Sequence, residues 1–138
     1  MSHFPWNDEY AVGHPEIDAQ HCQIFSLANE LHESLTLKMP DEVLADLLLD
    51  LLQVTRNHLI FEEGILEKAN YPDLAIHRAI HAALQQQLEV YENRYFSGEK
   101  QIVMEILPFV VGEWLLGHIS EVDRAYIPWL PKIDSQQD

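Results

Sequence analysis

The sequence predicts an all-α fold: an up-down-up-down antiparallel four-helix bundle with an irregular N-terminal arm. Three observations carry this expectation. Apolar residues recur at spacings of three and four along four segments, which is the pattern of a helix with one buried face. Short breaks at Met39-Pro40, Asn70-Tyr71-Pro72 and Ser97-Gly98 separate the segments, and short connections make successive helices antiparallel neighbours. No stretch alternates strictly as a half-buried strand would, and no internal repeat or low-complexity segment occurs.

Residues 1–16 contain Pro5, Gly13 and Pro15 with Phe4, Trp6 and Tyr10, and read as an arm packed on the body. A helical stripe starts at Ile17 and runs through His21, Ile24, Phe25, Ala28, Leu31 and Leu35, which turns His21 inward and leaves His32 at the solvent edge. Met39-Pro40-Asp41-Glu42 reads as a second helix start, with Pro in the first turn and acids at the positive end of the dipole. Its stripe continues through Leu44, Leu47, Leu48, Leu51, Leu52, Thr55, His58, Leu59, Glu62 and Leu66. A third helix is expected from about Pro72 through His77, His81, Leu84, Leu88 and Tyr91 to Phe96. The fourth ends near Ala125, with Phe109, Trp114, Leu115, His118 and Val122 as apolar or ligand-like positions. Pro108 demands a kink or a late start near Leu107. The expected organisation is one domain over 1–138: arm 1–16, bundle 17–126 and a C-terminal tail 127–138.

Composition narrows the function classes. A chain of 138 residues with 47% apolar residues and five glycines has enough material for one core and does not read as disordered. A formal charge of -15 repels phosphates, so neither nucleic acid nor an anionic membrane is an expected partner. The single cysteine, Cys22, excludes an internal disulfide framework and is expected to be a small buried side chain. The N-terminus lacks the basic and apolar regions of a signal peptide, and the longest uncharged apolar run, Ile106 to Gly112, is far too short to span a bilayer. A cytoplasmic location is the expectation.

The chemistry gathers at one end of the predicted bundle. Residues four apart on a helix share a face about 6 Å apart, so His58 with Glu62, and His77 with His81, are pairs of potential metal ligands. His21 lies near the start of the first helix, His58 and Glu62 near the end of the second, His77 and His81 near the start of the third, and His118 near the end of the fourth. In an antiparallel bundle all of these fall at the same end. Glu62 is the most telling, because an isolated buried carboxylate needs a proton, a partner or a metal. Asp123 follows His118 by five residues, about 140° around an ideal helix, and joins only where the helix loosens or ends. Five histidines with carboxylates exceed one tetrahedral zinc; without thiolates they suit iron, manganese or zinc, most comfortably as a pair of ions.

This constellation, together with Trp6, Ile17-Asp18, Gln20-His21, Glu62-Glu63, Tyr71-Pro72, Trp114-Leu115, His118-Ile119 and Tyr126, resembles the haemerythrin family, in particular its bacterial single-domain members. The resemblance covers nearly the whole chain; Leu59 and Leu66 depart from the Phe and Met that many members carry. It implies a non-haem di-iron centre that binds O2 reversibly, in a carrier, storage or delivery protein and not an enzyme. By that resemblance His77, His81 and His118 hold one iron, His21 and His58 the other, and Glu62 and Asp123 bridge both with a hydroxide or oxide. The two-histidine iron keeps an open position for O2, and Phe25, Leu59 and Ile119 are candidates for the apolar lining beside it. An O2 or redox sensor acting on a signalling partner or an output domain is the alternative, and an O2-consuming protein is another conceivable partner. Ferritin-like chemistry is disfavoured, since the chain has no Glu-x-x-His. A purely structural bundle with hydrogen-bonded histidines predicts no bound metal. His3, His14 and Glu63 are expected to face solvent, and Trp6, Trp114 and Tyr126 to serve as packing groups.

Overall fold

The structure, a computed structural model, describes residues 10–118 and 123–130, and within them all side chains but those of 113–116, 123 and 124. His3, Trp6, Ile119 and Val122 lie outside the described residues, as do the side chains of Trp114, Leu115 and Asp123. Among the described residues the regular elements are all helices, joined by short turns, with no strand, as the sequence predicts.

Helix α1 spans Pro15–Thr36 and starts two residues before the expected Ile17. Pro15 occupies the first turn, where its fixed φ is already helical and its missing N–H costs nothing. His14 is the residue before it: its Nδ1 accepts from the Ile17 N–H at 3.4 Å, and only 1% of the residue is exposed, which corrects the expectation that it faces solvent. The Asp18 carboxylate accepts from the N–H groups of Val12 at 2.8 Å and Gly13 at 3.1 Å, folding the arm back over the helix start. Tyr10 stacks on Phe25, with ring centroids 5.8 Å apart, so the described part of the arm packs on the body.

Helix α2 spans Asp41–Lys68 and α3 spans Leu74–Phe96. The first three helices end in the same left-handed turn, with φ of 55° at Lys38, 56° at Asn70 and 116° at Gly98. In each turn the next N–H reaches back to a carbonyl five residues earlier: Met39 to Ser34, Tyr71 to Leu66 and Glu99 to Arg94. These tight reversals make the helices antiparallel neighbours.

The fourth segment begins as a 3-10 turn, Lys100–Ile102, becomes α4 over Val103–Leu107, and widens to a π-helix over Pro108–Leu116. The change falls at Pro108, which has no N–H for the Met104 carbonyl, so the regular ladder cannot pass it. The expected kink is thus realised as a wider helix. A 3-10 segment, Asp123–Trp129, follows. Residues 127–130, expected as tail, stay on the body: Leu130 is 1% exposed and packs with Val12, Ile17, Leu66, Tyr71 and Tyr126.

Helix α1 packs on α2, α2 on α3, α3 on α4, and the π-helical segment returns to α1, which closes the bundle. Its interior holds two apolar clusters. The larger gathers Ile24, Phe25, Leu31, Leu48, Leu51, Leu52, Leu59, Leu88 and Ile106; the smaller is the Val12–Ile17–Leu66–Tyr71–Tyr126–Leu130 group. Along α1, His21 lies between Ile17 of one and Ile24 of the other; along α2, Glu62 lies between Leu66 and Leu59. The polar residues are therefore closed off by apolar packing above and below. Cys22 is half-buried, because it sits one residue off the inward stripe beside His21, and not fully buried as expected.

Candidate metal centre

Six of the seven sequence-predicted ligands have described side chains, and all six converge. His21, His58, Glu62, His77, His81 and His118 are buried, the most exposed being His118 at 6%. They fall into two groups. In one, ligand atoms of Glu62, His77, His81 and His118 lie within 4.8 Å of one another; in the other, those of His21, His58 and Glu62 do. Glu62 belongs to both, and each of its oxygens faces one group. Its Oε1 is 2.6 Å from His77 Nε2 and 3.1 Å from His81 Nε2. Its Oε2 is 3.4 Å from His58 Nε2 and 4.0 Å from His21 Nε2. Between the rings, His21 and His58 approach to 2.9 Å and His81 and His118 to 3.3 Å, in each case through Nε2.

The helical spacing accounts for these placements. His58 and Glu62 share one face of α2, and His77 and His81 share one face of α3, each pair at i and i+4. His21 near the start of α1 and His118 beyond the π-helical segment supply the remaining two faces. The donor set, imidazole Nε2 atoms around a carboxylate in a dry site, fits two closely spaced cations: each group could hold one ion, and Glu62 could bridge them.

Electrostatics follows from burial. Desolvation pushes the His21 imidazole down to about 3, with His58 adding to the effect. His118 is lowered to about 3 chiefly by burial as well. Burial alone would raise the Glu62 carboxyl, but hydrogen bonds from His58, His77 and His81 hold it well below its ordinary range. His81 is opposed by burial, yet its bonds to Glu62 and Glu63 leave it raised. Glu62 thus stays an ionised carboxylate, and His21 and His118 stay imidazoles with free electron pairs, at neutral pH, the protonation states that metal binding requires.

Three further residues belong to this centre and were not assigned to it from sequence. Gln20 Oε1 accepts from the His58 Nδ1 at 2.7 Å, and Glu63 Oε2 from the His81 Nδ1 at 2.8 Å. Each bond engages the Nδ1 proton and turns Nε2 inward, so that Nε2 becomes a donor atom for a metal once it gives up its own proton. Glu63 therefore does not simply face solvent: it lies one residue around from Glu62 on the flank of α2 that meets α3. Tyr126, expected as a packing group, is fully buried and also donates its hydroxyl to Glu62 Oε2 at 3.0 Å. The available signals were adjacency, Gln20 beside His21 and Glu63 beside Glu62. Of the apolar lining candidates, Phe25 and Leu59 are buried in the larger cluster, at 2% and 0% exposure.

Comparisons with known proteins bear on the family and the fold. The model of the hemerythrin HHE cation binding domain family matches residues 12–130. A Bacteriohemerythrin of Stenotrophomonas maltophilia is 30% identical over 126 residues, covering 91% of this chain and 80% of that protein. A Bacteriohemerythrin of Clostridium acetobutylicum is 30% identical over 129 residues, covering 90% and 98%. The crystal structure of a hemerythrin point mutant superposes with a TM-score of 0.81 at 24% identity, over 94% of this chain and 98% of that one, and shares the fold. With a family match over most of its length, relatives at this identity and the four-helix bundle in common, the chain belongs to the haemerythrin family.

Proposed function

We propose that this centre holds two iron ions and binds O2 reversibly, in a protein that carries, stores or delivers O2 and does not turn it over. One observation carries the reading: the two oxygens of a single buried carboxylate, Glu62, are divided between a three-histidine group and a two-histidine group. His77, His81 and His118 would hold one ion, His21 and His58 the other, and Glu62 and Asp123 would bridge them. With fewer histidines from the chain, an ion held by His21 and His58 would have room for a diatomic ligand. Iron bound there would supply the electrons that O2 takes up on binding and returns on release.

The chain's own part is to orient and to exclude water. Gln20 and Glu63 fix ring tautomers, Tyr126 fixes the Glu62 carboxylate, and Phe25 and Leu59, with Ile119 proposed beside them, form a dry wall. Dryness keeps reversible binding ahead of escape of a reduced oxygen species. Among the described residues no helix is long and apolar enough to cross a membrane, and the lone cysteine accords with a cytoplasmic setting.

The test is a visible spectrum of iron-quantified protein, reduced without air, exposed to air and returned to an O2-free atmosphere. A charge-transfer band that appears with air and vanishes on removing O2 is the expected result. A change that persists until reductant is added would replace O2 carriage by redox sensing, and protein that takes up no iron would end the reading.

A further inference from the structure

Two of the outward ring nitrogens of the centre have partners of different charge. His58 donates to the neutral amide oxygen of Gln20, whereas His81 donates to the carboxylate of Glu63. Glu63 is the middle of a chain of charges that runs to the surface. Its Oε1 lies 3.4 Å from Arg78 Nε, and Arg78 Nη2 lies 2.6 Å from Glu67 Oε2. The side chains of Glu63 and Arg78 are 23% and 46% exposed, so the chain of charges links solvent directly to a ring of the buried site. The register makes the chain. Glu63 and Glu67 are at i and i+4 on α2, Arg78 and His81 at i and i+3 on α3, and the two faces meet at the helix contact.

We propose that Glu63 is a positioning residue that sets the reduction potential of the three-histidine position through His81, with Arg78 as its counterweight. The inference rests on the di-iron reading above. A carboxylate accepting the Nδ1 proton draws it away from the ring and leaves more electron density on Nε2, which makes His81 a stronger donor. A stronger donor favours Fe3+ over Fe2+ and so lowers the one-electron potential. The Arg78 guanidinium, bonded to the same carboxylate, withdraws part of that negative charge. The two histidine groups therefore differ in the charge behind their ligands as well as in ligand number.

The experiment pairs Glu63→Gln with Arg78→Gln and measures two quantities on each: Zn2+ affinity of the metal-free protein, and the midpoint potential of the iron-loaded protein by spectroelectrochemical titration. Glu63→Gln keeps the shape and loses the charge; its metal affinity is expected to fall about 10- to 100-fold. Its midpoint should rise, by about 59 mV for each tenfold loss of ferric over ferrous affinity. Arg78→Gln, at an exposed position, should move the midpoint the other way. Opposite signs are the signature that a merely structural contact would not produce. Shifts of the same sign, or an unchanged potential in both variants, would overturn the proposal. Wild-type protein that binds no iron would remove the di-iron reading itself; Zn2+ affinity then decides for Glu63, and a value unaltered in Glu63→Gln would overturn its positioning role separately.

Discussion

The two halves of the bundle interior are equally dry and are held together for opposite reasons. In the apolar half Leu48, Leu51 and Leu52 are wholly buried, and each stabilises the fold by leaving water, by roughly 1.5 to 3 kcal/mol. In the polar half His21 and Glu62 are wholly buried too, but burial there costs free energy that hydrogen bonds only partly return. Burial alone thus does not say what a residue is for. The apolar half supplies the stability that allows the polar half to be arranged for a ligand.

The sharpest way to break this contrast is to remove the shared carboxylate. Glu62→Ala should substantially reduce the metal bound, read by metal analysis after desalting, because both groups lose their common oxygen donor. Two ions retained would sink the bridging role. Leu51→Ala is the converse: unfolding of the metal-free protein in denaturant should show a loss of about 2 to 5 kcal/mol, with metal stoichiometry unchanged. If it lost metal as well, the halves would not be separable.

Acid should distinguish the halves next. His21 and His118 are held at about 3 in the folded protein against 6.5 when unfolded, so between these values the unfolded chain binds protons that the folded chain refuses. Stability of the metal-free protein therefore falls as pH drops from 6.5, by about 1.4 kcal/mol per pH unit for each group. Glu62, depressed well below 4.5, adds loss below that value, whereas His81, raised, contributes stability that is full below 6.5 and fades as pH rises through its folded value. Two depressed histidines against one raised one make acid the destabilising direction; denaturation midpoints flat from pH 7 to 4 would contradict the assignment.

Smaller effects sharpen the frame around the site. Asp18→Ala removes the acceptor for the Val12 and Gly13 N–H groups and should cost about 1 kcal/mol in thermal unfolding, with the arm more open to proteolysis. Lys38→Gly relieves a left-handed residue with a Cβ, and should change stability by only about 0.5 kcal/mol, as a gain. A clear loss there would mean the Lys38 side chain holds the turn.

What was legible in the sequence was whatever one helix decides on its own. The stripe through Leu48, Leu51, Leu52, Thr55, His58, Leu59 and Glu62 names a buried face, and helix polarity alone brings the histidines of four segments to one end. What was not legible depends on the neighbour. Glu63 lies off the α2 stripe, yet a helix in a bundle has two partners, and its flank meets His81 of α3. His14 looked like an arm residue because Gly13 and Pro15 flank it; the same proline starts the helix, and Phe61 packs edge-on against the ring at 6.2 Å between centroids. Pro108 announced a break without saying that the helix would widen in place of bending. Cys22 sits one step off the buried face, where residue type favours burial and helical phase does not.

The pairing of rings across the centre also bears on how the chain is tied together. His21 meets His58 across 37 residues of sequence, and His81 meets His118 across another 37, while Glu62 links the second and third helices through His77. Ions seated there would act as two cross-links, each closing a helical hairpin, joined by a third tie between the hairpins. On the loop-closure scale used for covalent cross-links, each such loop removes on the order of 4 kcal/mol of unfolded-chain entropy. A chain with one cysteine can form no internal disulfide, and an occupied metal centre would serve as a staple in its place.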